Sequence, residues 1–325
     1  MSPWREVPKV ELHLHLEGAA PPAFIRQLAA EKGIALEGVF DPQGGYKWHD
    51  FASFLETYHA AFTVLQTPED FGALAQAVGE KSRSDGVFYT EIFVCPDICG
   101  AGDPGAWSAH LDAIVAGLDQ VDGLESRLIG TVIRNLGSER AEAMARVIAQ
   151  TDHPRLTGFC MAGEERFGRA QDYTRAFQIA QDAGLGLTSH AGELAGAHSV
   201  AETLDHLPVT RIGHGVRAIE DPALVSRLAE AGTVLEVCPG SNIALEVFAS
   251  WQDHPLNALR EAGVAVTVST DDPPYFHTDL VAEYEAISAT FGWTRAEFDQ
   301  ANLVALEAAF CDAETKARLK EMFRQ

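Results

Sequence analysis

Four short segments of the chain gather residues that do chemistry. His13-Leu14-His15 sets two imidazoles two residues apart, and Ser189-His190-Ala191-Gly192-Glu193 puts a carboxylate three residues past a histidine. Arg211-Ile212-Gly213-His214-Gly215 ends on a histidine between glycines, and Thr270-Asp271-Asp272-Pro273 pairs two carboxylates. Side chains alternate along a strand, so His13 and His15 face the same way if that segment is extended. Taken singly, each segment has an ordinary explanation, such as polar residues on a half-exposed strand or an aspartate opening a helix. Gathered at one rim, three or four imidazoles and two carboxylates are costly to bury unless a cation sits among them. Three imidazoles and a carboxylate, with water in the remaining position, suit one catalytic zinc ion. Water on such an ion ionises near neutral pH and becomes a nucleophile. Glu193, just past His190, is then placed to shuttle a proton without ligating the metal. Its ordinary alternative is a carboxylate at a helix N-terminus.

Such a rim needs elements that end together. Eight short apolar or β-branched runs recur: Val10–Leu16, Val87–Val94, Leu128–Ile133, Leu156–Met161, Leu185–Ser189, Arg211–Gly213, Val234–Val237 and Val264–Ser269. Helical patterns fill most of the gaps, as at Ala141–Ala149, Ala170–Asp182, Pro222–Ala231 and Pro255–Ala262. Near-continuous apolar strands alternating with helices imply a parallel sheet covered by helices. Eight of them predict an α/β fold of the (β/α)8 TIM type, whose catalytic groups sit at the C-terminal strand ends. No linker or low-complexity tract divides the chain, so residues 1–325 read as one barrel domain. The first connection is far longer than an ordinary βα loop. It predicts a helical lid insertion at about residues 17–85, in which Phe51, Phe54, Leu55, Tyr58 and Phe62 form an apolar stripe.

Composition narrows the function. A net charge of −23 repels DNA and RNA but leaves a small uncharged base or nucleoside unaffected. No run approaches the roughly 18 apolar residues of a membrane span, and the N-terminal segment lacks a signal-peptide core. The five cysteines are odd in number and form no paired metal knuckle, so reduced structural thiols in the cytoplasm are expected. No lysine occurs between Lys81 and Lys316. Two-metal barrel hydrolases often bridge their ions with a carboxylated lysine on a middle strand, so a mononuclear site is expected. This also counts against a metal-dependent phosphoester hydrolase, which usually clamps its substrate with two metals. A silent binding barrel has no need of a complete ligand and shuttle set, and the His-x-Glu and Pro-Cys-x-x-Cys pattern of cytidine deaminases does not appear.

The segments also resemble a known family. Lys9–Gly18, Ser189–Glu193, Ile212–Gly215 and Ser269–Pro273 look, in order, like the motifs of adenosine deaminase and its relatives. The resemblance implies that His13, His15, His190 and Asp271 hold one zinc ion. It makes Glu193 the acid that protonates purine N1, and His214 the residue that orients the water and helps deprotonate it. Asp272 would meet N7, the backbone of Gly163 would face N3, and Phe54 and Tyr58 would wall the substrate. Two positions depart from the pattern. Glu17 stands where nucleoside deaminases carry an aspartate that meets the ribose 5′-hydroxyl, and glutamate is more familiar in relatives acting on free adenine. Cys160 stands where the family commonly has an aspartate. In the other direction, Ile212-Gly213-His214 and Gly192–Gly196 resemble the nucleoside enzymes. The expected activity is zinc-dependent deamination of adenosine or deoxyadenosine, with release of ammonia, in purine metabolism. Adenine and modified adenine nucleosides are the alternatives. The expected partner is the small-molecule purine alone, bound by a monomer or homodimer. His206, His254 and His277 are left as surface or structural residues.

Overall fold

The computed structural model describes residues 2–323. Met1, Arg324 and Gln325, the ends of the expected 1–325 domain, lie outside them. Eight strands form one parallel sheet in sequential order: β1 (Lys9–His15), β2 (Val87–Val94), β3 (Glu125–Ile133), β4 (Leu156–Ala162), β5 (Gly186–Ala191), β6 (Arg211–His214), β7 (Val234–Val237) and β8 (Ala265–Val268). A helix follows nearly every strand, which makes a (β/α)8 barrel of the expected kind. The strands are buried on both faces, which explains their near-unbroken apolar character. On β1, Val10 and Leu12 pack outward against Ala305 and Leu306 of the last long helix, so the alternating His13 and His15 turn into the barrel.

The sheet closes at the site itself. Beyond β8, Leu14 bridges Asp271 in parallel. His15 N–H donates to the Asp271 carbonyl at 3.1 Å, and Asp271 N–H donates to the His13 carbonyl at 3.1 Å. The seam between first and last strands is therefore fastened by the backbones of three expected ligands.

Lower in the barrel, charge replaces apolar filling. The Arg211 guanidinium meets Glu236 at 2.6 Å and Glu91 at 2.7 Å, and lies 3.6 Å from the ring centroid of Phe310. Phe310 plugs the floor so closely that a Cβ on Gly186 would approach its ring to 2.2 Å. Only a residue without a side chain fits there.

Between β1 and β2 lie α1 (Pro22–Lys32), α2 (Phe51–Phe62) and α3 (Pro68–Ser84). Asp50 and Ser53 form a capping box that starts α2. Its apolar face turns toward the mouth of the barrel, where Phe54 packs on Phe276 at 5.2 Å and Tyr58 on Tyr275 at 5.5 Å between ring centroids. No helix among the described residues is long and apolar enough to cross a membrane.

Candidate active site

A pocket opens at the C-terminal ends of the strands, and α2 forms one wall. Glu17, Phe54, Tyr58, Gly163, Glu193 and Asp272 line it, together with His15, His190, His214 and Asp271. His13 lies beneath them, fully buried. Every residue expected from the sequence is thus in or directly under one cavity. His206 and His277 lie outside its lining.

The candidate ligands converge. His15 Nε2 lies 3.2 Å from His190 Nε2 and 3.2 Å from Asp271 Oδ1. His13 Nε2 lies 3.4 Å from the same oxygen. Ligands about 2.0–2.1 Å from a tetrahedral zinc stand roughly 3.3 Å apart, so these spacings fit one ion. Ligand atoms of His13, His190, His214 and Asp271 lie within 4.8 Å of one another. His13 Nε2 is buried without a hydrogen-bond partner among the described residues, as a nitrogen kept for a metal must be.

Outer partners fix how those rings present themselves. His13 Nδ1 donates to Glu236 at 2.8 Å, and His190 Nδ1 donates to the Met161 carbonyl at 3.2 Å. A carboxylate and a carbonyl only accept, so each ring carries its proton on Nδ1 and offers the Nε2 lone pair inward. Ser241 Oγ donates to Asp271 Oδ2 at 2.7 Å, leaving Oδ1 for the site. The departure at Cys160 is accommodated, because its thiol sits 3.5 Å from His190 Nδ1 while Met161 supplies the acceptor. Gly213 leaves room for His13, since a Cβ there would lie 2.7 Å from the imidazole. His214 and Asp271 hold left-handed φ angles of 60° and 67°. Strain of this kind persists only where surrounding contacts enforce it, and it collects at functional sites.

The carboxyls are arranged to hold protons. Burial raises Glu193 well above the usual carboxylate range, and Asp271 and Glu165 push it further. Burial, then Asp271 and Glu193, do the same for Asp272, whose Oδ1 has no hydrogen-bond partner among the described residues. Gly18 makes space for that oxygen, because a Cβ there would sit 1.5 Å away. Burial pushes Glu17 up to about 7, and its nearest neighbours include the Cys99 thiol at 3.9 Å. Neutral carboxyls beside a pocket can donate to ring nitrogens, which is what purine chemistry demands.

Other residues of the site were not singled out from the sequence. Glu165 accepts four consecutive backbone N–H groups, from Gly192 to Ala195. Asn242 reaches the back of His214, and His254, expected at the surface or in a structural role, is buried behind Asn242. These contacts are tertiary and carry no local spacing; Glu165 and His254 stand among polar neighbours in the sequence, so nothing local marked them.

This geometry meets its family in the match of the adenosine deaminase model to residues 8–325. The chain belongs to the adenosine deaminase family. It is similar to an adenine deaminase of Rhizobium leguminosarum bv. trifolii, 50% identical over 314 residues that cover 96% of this chain and 97% of the relative. The crystal structure of an adenine deaminase from Arthrobacter aurescens superposes with a TM-score of 0.87 at 30% identity, covering 98% of each chain. An amidohydrolase from Burkholderia ambifaria, solved with bound zinc, superposes with a TM-score of 0.87 at 25% identity, covering 99% of this chain and 90% of its own. This deaminase is an aminohydrolase acting on the C–N bond of a cyclic amidine, and its substrates are of the adenine type.

Proposed function

We propose that the protein hydrolyses adenine to hypoxanthine and ammonia. The expectation of adenosine or deoxyadenosine gives way here to its alternative. Glu17 carries the reading: it is 4% exposed, lines the pocket, and extends one methylene further than the aspartate of nucleoside deaminases. Its carboxyl can accept from N9–H, a donor that free adenine has and a nucleoside lacks. The relatives of about half identity named adenine deaminase support the same choice.

A zinc ion, as in the Burkholderia ambifaria structure, fits His13, His15, His190 and Asp271, and it supplies the charge that makes water nucleophilic at neutral pH. The protein groups divide the remaining work. Glu193 gives its proton to N1 as the water oxygen bonds to C6, which breaks the amidine conjugation. The protons of the water then pass by way of Glu193, one to the amino nitrogen, which leaves as ammonia while C6 becomes a carbonyl, and one back to Glu193 itself. Asp272, holding a proton, donates to N7, and the Gly163 N–H faces N3. Phe54 and Tyr58 of α2 cover the base and exclude bulk water as a lid. The substrate is a small purine and not nucleic acid, consistent with the charge of −23. Five unpaired cysteines accord with a reduced, cytoplasmic setting.

Ammonia release from adenine, adenosine, deoxyadenosine and N6-modified adenine nucleosides tests the assignment. Adenine is expected to show a kcat/KM at least about 100-fold above each nucleoside, roughly 2.7 kcal/mol of discrimination. A nucleoside turned over faster than adenine would refute it.

A further inference from the structure

Behind the pocket wall a line of hydrogen bonds runs from a backbone amide to His214. The Leu256 N–H donates to His254 Nδ1 at 3.2 Å. A backbone N–H only donates, so Nδ1 holds the lone pair and the His254 ring carries its proton on Nε2. That Nε2 lies 3.1 Å from Asn242 Oδ1, where a donor requires an amide oxygen. The orientation of Asn242 is thereby fixed, and its NH2 points to His214 Nδ1 at 3.3 Å. An amide NH2 only donates, so His214 Nδ1 accepts and the ring proton sits on Nε2. His254, Asn242 and His214 are 3%, 0% and 1% exposed, so bulk water offers no competing partner. His214 Nε2 has no hydrogen-bond partner among the described residues. It stands 3.7 Å from Glu193 Oε2 and 3.9 Å from Asp271 Oδ2, facing the site.

We propose that Asn242 and His254 are positioning residues that hold His214 as its Nε2–H tautomer, so that His214 donates a hydrogen bond to the attacking oxygen and takes no proton from it. This replaces the expectation that His214 helps to deprotonate the water. The balance then runs through Glu193: it gives its proton to N1, recovers one from the attacking water and passes that to the departing amino nitrogen. It takes the last from the C6 hydroxyl as the carbonyl forms, with no net change in the protein. The polarity of the line is set by Leu256, whose amide cannot reverse. A freely rotating His214 would present a lone pair or a proton to the oxygen without preference.

The role rests on the deaminase reading above, whereas the tautomer does not. Zinc-loaded protein labelled with 15N-histidine, studied by long-range 1H–15N correlation, reads the tautomer directly; loss of signals in His214→Asn assigns them. The expected pattern is an unprotonated Nδ1 and a protonated Nε2 from about pH 6 to about pH 8. In His254→Leu, where Asn242 is free to turn over, the second tautomer is expected to appear. With it kcat should fall about tenfold, as for partners that orient active-site rings, while KM stays within about twofold. His254→Gln, whose amide donates to Asn242 Oδ1 in the same way, should restore both. A protonated Nδ1 in the unsubstituted protein overturns the proposal, and so does a His254→Leu variant with unchanged kcat. If that variant does not fold, the unsubstituted spectrum still decides. Failure of the substrate assignment would show only in the ammonia assay and leave the spectrum as it is.

Discussion

The Glu165 carboxylate receives the backbone N–H of Glu193 at 3.0 Å. The same oxygen takes Leu194 N–H at 2.7 Å and Ala195 N–H at 2.8 Å, and the other takes Gly192 N–H. One buried carboxylate thus holds the whole turn that carries the proton shuttle. Charge-assisted bonds of this kind are about twice as strong as neutral ones. In Glu165→Gln one oxygen becomes an NH2 that confronts an N–H, so the turn must shift. Glu193 is expected to lose its alignment with N1 and kcat to fall by about 10- to 100-fold, with KM nearly unchanged. Steady-state kinetics check this, and a proportionate rise in KM would assign Glu165 to substrate binding instead.

Glu17 is placed to choose between base and nucleoside. Glu17→Asp withdraws the carboxyl by one methylene from a pocket edge shared with Tyr58, and from the buried Cys99 thiol behind it. Space for a sugar opens, and the acceptor for N9–H retreats. The expected outcome is a drop of about 10- to 100-fold in kcat/KM for adenine and a gain for adenosine. A variant that lost both activities equally would place the origin of specificity elsewhere.

Much of this was legible because the chemistry is bound to strand ends. All eight apolar runs are strands; His13, His15, His190 and His214 lie among the last three residues of theirs, and Asp271 lies three residues past β8. Boundaries moved by one to three residues: β3 begins at Glu125, β5 runs from Gly186 to Ala191, and Ala170–Asp182 divides into a 3-10 turn and an α-helix from Thr174. What the sequence concealed is the layer behind the ligands. Arg211 reads as an ordinary charged residue opening a strand, yet it is fully buried under the site. His254 follows an exposed 3-10 turn and meets its partner only because the short helix after β7 brings Asn242 beside the end of β6. Partnerships between distant residues leave no period or spacing to read. Likewise the choice between adenine and nucleoside turned on Glu17 alone against segments that resembled the nucleoside enzymes.

Glu283 makes stability depend on pH away from the ligands. Its carboxyl is fully buried, accepting from Gly240 N–H at 3.0 Å and Thr278 Oγ1 at 2.7 Å. Burial outweighs these bonds and raises it from 4.5 to about 8. Between those two values the folded state holds a proton that the unfolded chain has released, so stability falls as pH rises. The contribution is fully present below about 4.5 and lost by the time pH has passed about 8. Urea denaturation at about pH 5.5 and about pH 8.5 should therefore differ, and Glu283→Gln should remove on the order of a few kcal/mol of that difference. An identical pH slope in the variant would mean that Glu283 is ionised throughout.

Arg211 joins the stability of the barrel to the affinity of its metal site. Its guanidinium donates to Glu236 and forms an ion pair with Glu91, and Glu236 in turn accepts from His13 Nδ1 and Thr188 Oγ1. Burial opposes ionisation of Glu236, but Arg211 and His13 hold it below the usual carboxylate range. Arg211→Met leaves two buried carboxylates without their cation, a loss of about 3–5 kcal/mol. Glu236 is then expected to gain a proton and cease to accept reliably from His13. Freed from that bond, the His13 ring can turn its lone pair away from the site, which should weaken zinc binding by about 10- to 100-fold. The two effects separate in Arg211→Met combined with Glu91→Gln and Glu236→Gln. Removing the buried charges should recover most of the stability. Zinc affinity, measured by competition with a chelator, should stay low, because a glutamine holds His13 less firmly than a carboxylate does. Full recovery of zinc affinity in the triple variant would show that the ring is held by packing alone.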